Sequence, residues 1–177
     1  MIHFTADTHF HHEGALRFRH FETVEEMNQT IIRNWNSKVA RGDTVYHLGD
    51  FGFNVAAIPG LVTQLNGQIH LVLGNHDPDW PCNRLKSAGF ASIRESKYIK
   101  IDGDKFYLQH YPCRAWRSSY HGSYHLYGHS HGHMPPLNRS MDVGVDCWDY
   151  SPVSLPVVLS ELSHKPTTNH HSAKKEA

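Results

Sequence analysis

The stretch "QIHLVLGNHD", residues 68–77, decides how this chain folds. Its β-rich residues run straight into a turn built of Gly, Asn and Asp, which is how a strand ending in a loop is written. The same grammar occurs twice before it, in "IHFTAD" (2–7) and "TVYHLGD" (44–50). Between those two lies "FETVEEMNQTIIRNWNSKV" (21–39), where Val24, Met27, Ile31 and Trp35 fall on one helical stripe and Thr23 and Glu26 have the spacing of a capping box. A second helix is expected over 54–65, started or interrupted by Pro59, and Asn66-Gly67 then turns the chain into the third strand. The first half therefore reads βαβαβ.

The second half changes character. "KYIKI-DG-DKFYLQH" (97–110) reads as a hairpin, because Asp-Gly favours a type I′ turn between β-rich runs. Further short strands are expected at 124–128, 139–145 and 155–159. Alternation giving way to strand upon strand points to the α/β (α+β) class, as a mixed sheet or a two-sheet sandwich with helices outside. From residue 164 the sequence "HKPTTNHHSAKKEA" has no apolar side chain larger than alanine, so the domain is expected to span 1–163 and 164–177 to be a disordered tail.

Composition narrows the function. A chain of 177 residues supports one domain with a real core. Lys plus Arg equal Asp plus Glu at 17 each, so neither nucleic-acid binding nor a membrane patch is indicated. Three cysteines at wide spacings, with no CxxC, suggest neither a disulfide framework nor a thiolate zinc site, and a cytoplasmic location is expected.

Polar residues collect at the predicted strand ends: Asp7 and His9, Asp50, then Asn75, His76 and Asp77, then His110 after the hairpin. "GHSHGH" (128–133) adds His129, His131 and His133 at alternate positions, which in an extended segment share one face. Ligands gather at the carboxyl ends of strands in open α/β sheets, so these distant residues can meet there. Carboxylate, amide and imidazole without thiolate suit Mn²⁺, Fe, Zn²⁺, Ni²⁺ or Mg²⁺. Two Asp, one Asn and four His exceed the needs of one tetrahedral ion, which takes about four ligands.

The order D7-x-H9, G49-D50, G74-N75-H76-D77, H110, G128-H129-x-H131 resembles the five-block signature of the calcineurin-like metallophosphoesterases, over residues 2 to about 150. The resemblance implies a four-layer αββα sandwich of two mixed sheets with a dinuclear centre between them. It assigns Asp7, His9 and His131 to a first ion and Asn75, His110 and His129 to a second, with Asp50 joining the two and His133 a bystander. Two divalent ions, Mn²⁺ in vitro, would hold a hydroxide and clamp a phosphoryl group for in-line attack. His76 is then free to protonate the leaving oxygen, with Asp77 expected to hold its imidazole. Tyr111 and Pro112 follow His110 where many relatives carry a small residue, and no insertion is long enough for a lid, so an open site is expected.

Other residues have plainer readings. His12 could line the substrate entrance or cap a short helix, and Arg114 could grip a phosphate with its planar fork or simply lie on the surface. His3, His47 and His70, inside predicted strands, read as satisfied or half-exposed histidines. Trp116, Tyr120, Tyr124 and Tyr127 read as core rather than as a base-stacking surface. The expected activity is hydrolysis of a small phosphodiester, nucleotide-derived compounds among the options. A phosphomonoesterase or nucleotide pyrophosphatase would use the same centre, and a non-catalytic interaction scaffold is the rival from another class.

Overall fold

A computed structural model describes residues 1–77 and 88–168. Strands β1 (Ile2–Thr5), β2 (Thr44–His47) and β3 (Gln68–Val72) run parallel and in register, joined by helices α1 (Val24–Lys38) and α2 (Ile58–Gln64). A short β4 (Ser92–Arg94) extends this sheet beside β3, and β9 (Val153–Ser154) closes its other edge antiparallel to β1. A second sheet has the order β5 (Ser96–Ile101), β6 (Asp104–Gln109), β7 (Tyr124–Tyr127), β8 (Ser140–Asp142), antiparallel in its first pair and parallel thereafter. Both sheets are mixed, as the resemblance implies.

Local sequence explains most boundaries. Thr23 caps α1, its hydroxyl accepting from the Glu26 amide at 3.1 Å, while the Glu26 carboxylate reaches back to the amide of Glu22 at 2.9 Å. Met27, Ile31 and Trp35 then lie on one buried face. Asp102 and Gly103 both have positive φ, 48° and 98°, as the type I′ turn between β5 and β6 requires. Helix α2 starts later than expected, because Asn54 to Ala57 form a turn and Pro59 occupies the first helical turn, where its missing amide costs nothing.

One element differs in type. Residues 155–159, expected as a strand, begin helix α3 (Leu155–Leu162). An apolar run of five cannot distinguish the two states by itself. Pro156 sits at a helix start, and Val158 and Leu162, four residues apart, both point into the core.

Two apolar layers hold the molecule together. One lies between α1, α2 and the outer face of the first sheet, around Trp35, Ile31, Val45 and Leu71. The other fills the space between the sheets, where Phe4 stacks on Phe106 with centroids 5.9 Å apart, and α3 joins it through Val158 and Leu162. Trp116, Tyr124 and Tyr127 are buried, in line with their reading as core, whereas Tyr120, given the same reading, is exposed. His47 is fully buried and bonded to the Thr8 hydroxyl at 3.0 Å, and His3 pairs with Asp43 at 3.1 Å. Of the expected tail, residues 164–168 are described, and the Arg139 side chain donates to the Lys165 carbonyl at 3.0 Å; residues 169–177 lie outside the described residues. No helix among the described residues is long and apolar enough to cross a membrane.

Candidate metal centre

The carboxyl ends of β1, β2, β3, β6 and β7 converge, and backbone bonds lock them together. The Asp7 amide donates to the Gly49 carbonyl at 2.9 Å, the Gly128 amide to the His110 carbonyl at 2.9 Å, and the Val145 amide to the Ala6 carbonyl at 3.0 Å. Across the seam between the sheets, His110 Nδ1 donates to the Leu48 carbonyl at 2.8 Å. A carbonyl can only accept, so this bond places the proton on Nδ1 and leaves Nε2 with a bare lone pair.

That lone pair faces other acceptors. His110 Nε2 lies 3.0 Å from Asn75 Oδ1 and 3.5 Å from Asp50 Oδ2. Asp50 Oδ2 is in turn 3.7 Å from His9 Nε2, so this carboxylate stands between histidines assigned to different ions. Ligand atoms of Asp7, His9 and His131 lie within 4.8 Å of one another, as do those of Asp7, Asp50 and His110. Asp7 thus belongs to both groups. His129 belongs to neither; its ring is exposed and packs edge-on against His110 at 5.1 Å, while its backbone amide donates to the Asp7 carboxylate at 2.9 Å.

The chemistry of these donors fits a cation. Both ring nitrogens of His9 are buried without a hydrogen-bond partner, and an unmet buried group costs about 1–3 kcal/mol; the one lone pair of the neutral ring is open to a cation. Burial, then the nearby Arg19 and His131, push the His9 imidazole down to about 2, so it stays neutral and able to ligate. Burial, with Asp142 beside it, pushes the Asp7 carboxyl well above the usual carboxylate range. Two positive charges would reverse that penalty.

Backbone conformation aims the ligands. Asp7, His9, Asp50, His129 and His131 all have positive φ, between 47° and 67°, a region that non-glycine residues seldom occupy and that clusters at functional sites. Gly74 makes room for one of them, since a Cβ there would lie 2.2 Å from Asp50 Oδ1.

His76 sits at the mouth with its ring partly exposed and Nε2 3.9 Å from Asp50 Oδ2; its backbone amide donates to Asp50 Oδ1 at 2.9 Å. Asp77 corrects the expectation that it holds His76. Its carboxylate is fully buried and accepts from the amides of Asp50 (2.6 Å), Gly74 (2.9 Å) and Phe51 (3.1 Å), so it braces the loop that carries Asp50. Burial raises its carboxyl to about 6. His12 lies at the entrance, its ring face to face with Phe53 at 3.6 Å and 5.3 Å from that of His9. Arg114 and His133 are exposed.

Two functional neighbours escaped the sequence reading. Asp146 accepts from His131 Nδ1 at 2.7 Å, which leaves Nε2 of that ring as the ligating atom, the usual arrangement behind a metal-bound histidine. Arg19, itself buried, clamps Asp146 with two bonds of 2.7 Å and donates to the carbonyls of Asp7 (2.6 Å) and Thr8 (3.1 Å). Although burial opposes it, the bonds from His131 and Arg19 hold the Asp146 carboxyl down at about 2. The available signal was "MDVGVD" (141–146), another strand that runs into carboxylates.

Comparison with known proteins places the fold and the family. The chain is 32% identical over 170 residues to an uncharacterised protein of Methanocaldococcus jannaschii, with 89% of each covered. It is 30% identical over 178 residues to the Gene 66 protein of Mycobacterium phage L5, covering 82% of this chain and 86% of that one. Among solved structures, a protein of unknown function from Aquifex aeolicus shares the fold, with a TM-score of 0.71, 24% identity, and coverage of 92% and 99%. Residues 1–143 match the model of the calcineurin-like phosphoesterase superfamily domain, and the chain belongs to that superfamily.

Proposed function

We propose that the protein is a two-metal phosphoesterase that hydrolyses a small phosphodiester. The observation that supports this most is the set of acceptor atoms with no proton between them: His110 Nε2, whose proton is held on Nδ1 by the Leu48 carbonyl, faces Asn75 Oδ1 at 3.0 Å and Asp50 Oδ2 at 3.5 Å. Asp7, His9 and His131 would hold one divalent ion and Asn75, His110 and His129 the other, with Asp50 between them. When bound, such a pair polarises phosphoryl oxygens and makes water acidic enough to serve as a nucleophile near neutral pH.

The protein's own residues supply the rest. Asp146 fixes the His131 ring, and Leu48 fixes the His110 ring, so each presents Nε2 inward. His76 donates a proton to the leaving oxygen as the oxygen of water bonds to phosphorus and the old P–O bond breaks, giving a monoester and an alcohol.

Metal analysis of protein loaded with Mn²⁺, together with hydrolysis of bis(p-nitrophenyl) phosphate and p-nitrophenyl phosphate, tests the reading. Chelator should abolish turnover. His76→Ala should retain both ions while kcat on the diester falls about 10²–10⁴-fold. Loss of metal from that variant would refute its role as proton donor, and full metal occupancy without turnover on either ester in the wild type would refute the activity.

A further inference from the structure

Among the described residues four Phe or Tyr side chains are exposed: Phe18, Phe53, Tyr111 and Tyr120. Single exposed aromatics are ordinary, but three of these four sit on histidines of the candidate centre. Phe18 packs on His131 at 4.8 Å, Phe53 on His76 at 4.7 Å, and Tyr111 on His129 at 4.7 Å and His110 at 5.1 Å. They come from three separate loops, following Arg17, Asp50 and His110 respectively, so they frame the mouth rather than form one local patch.

Resting on the phosphoesterase reading, we propose that this rim is a subsite for a flat aromatic group esterified to the phosphate, an aryl ring or a nucleobase-bearing substituent of mononucleotide size. Each rim ring lies one imidazole away from the ligand cluster, which is where the substituent on a bound phosphoryl group must pass. Aromatic rings and imidazoles offer π faces to a planar partner, and such stacking tolerates different bases. The balanced charge of the chain fits recognition of one such group rather than of a long polyanion. Phe53 is already held flat against His12, 10° from parallel, so this part of the rim is set before a substrate arrives.

Bis(p-nitrophenyl) phosphate and methyl p-nitrophenyl phosphate expel the same leaving group and differ in the substituent that remains. With the Mn²⁺-loaded protein, KM for the aryl ester should be about tenfold lower than for the methyl ester, and Phe18→Leu or Phe53→Leu should each reduce that ratio about threefold. A ratio near the statistical factor of about two, or variants that weaken both esters alike, would overturn the subsite. Calorimetric binding of phenylphosphonate against methylphosphonate, neither of which can be hydrolysed, decides the matter independently of turnover. About tenfold tighter phenyl binding with no ester cleaved would leave the rim standing and the activity refuted; equal affinities with diester cleavage intact would sink the rim alone.

Discussion

Replacing Asp146 by Asn changes one atom behind the metal centre and should separate two functions of that carboxylate. Asp146 Oδ2 accepts from both His131 Nδ1 and Arg19 Nη2, and Oδ1 accepts from Arg19 Nε, all at 2.7 Å. An amide can turn only one oxygen to these three donors, so at least one N–H must meet an NH₂ group. If the oxygen stays with His131, one charge-assisted bond to Arg19 is lost, about 1.5–3 kcal/mol of folding stability. Whichever way it turns, His131 loses the full charge that made its Nε2 a strong donor. Loss of such a partner typically lowers metal affinity about 10–100-fold, or about 1.4–2.7 kcal/mol. Mn²⁺ titration by calorimetry measures the second effect, and urea denaturation of the chelated protein measures the first. The double variant Arg19→Met/Asp146→Leu sharpens the test, because removing both charges should cost less stability than Asp146→Leu alone, which strands a buried guanidinium, yet should still bind metal weakly. If Asp146→Asn lost stability but kept its Mn²⁺ affinity within about threefold, Asp146 would be a partner of Arg19 only.

Two further expectations concern pH and the loop brace. In metal-free protein, burial holds His125 down at about 4 and His47 at about 3, whereas an unfolded imidazole takes its proton at about 6.5. The unfolded chain therefore binds more protons below that value, and each histidine should lower stability by about 2 kcal/mol between pH 7 and pH 5; Asp77, raised to about 6, returns about 1 kcal/mol. His125→Asn should shrink the loss seen in urea denaturation by about 2 kcal/mol, and an unchanged loss would contradict the neutral buried imidazole. Asp77→Asn, which sets an amide against three backbone donors, should lower stability and metal content together. A variant that kept its ions and lost only turnover would instead restore Asp77 to a role beside His76.

What was legible in the sequence was whatever short-range chemistry dictates. Asp102-Gly103 announces its turn because few other pairs tolerate positive φ twice in succession, and Thr23 with Glu26 announces a helix start through the bonds it makes within four residues. The candidate ligands stood out because a metal centre would need particular donor atoms whatever carries them. Residues 155–159 were misread, since a short apolar run has no period of its own and only Pro156 and the contacts of Val158 settle it. The partners behind the ligands were hidden for another reason. Arg19 and Asp146 meet across 127 positions, and nothing local to either marks the encounter. Asp77 was misassigned because adjacency to His76 in sequence suggested contact, when the turn sends the two side chains opposite ways, one to solvent and one under the loop.

The positive φ angles at Asp7, His9, Asp50, His129 and His131 bear on how any mutational scan of this centre must be interpreted. Asn and Gly accept that twist readily, whereas Val, Ile or Thr resist it. An Asp50→Asn or Asp7→Asn replacement therefore edits charge while leaving the loop's shape alone. A β-branched residue at the same position also bends the main chain, so a dead variant of that kind reports on geometry and says little about ligation.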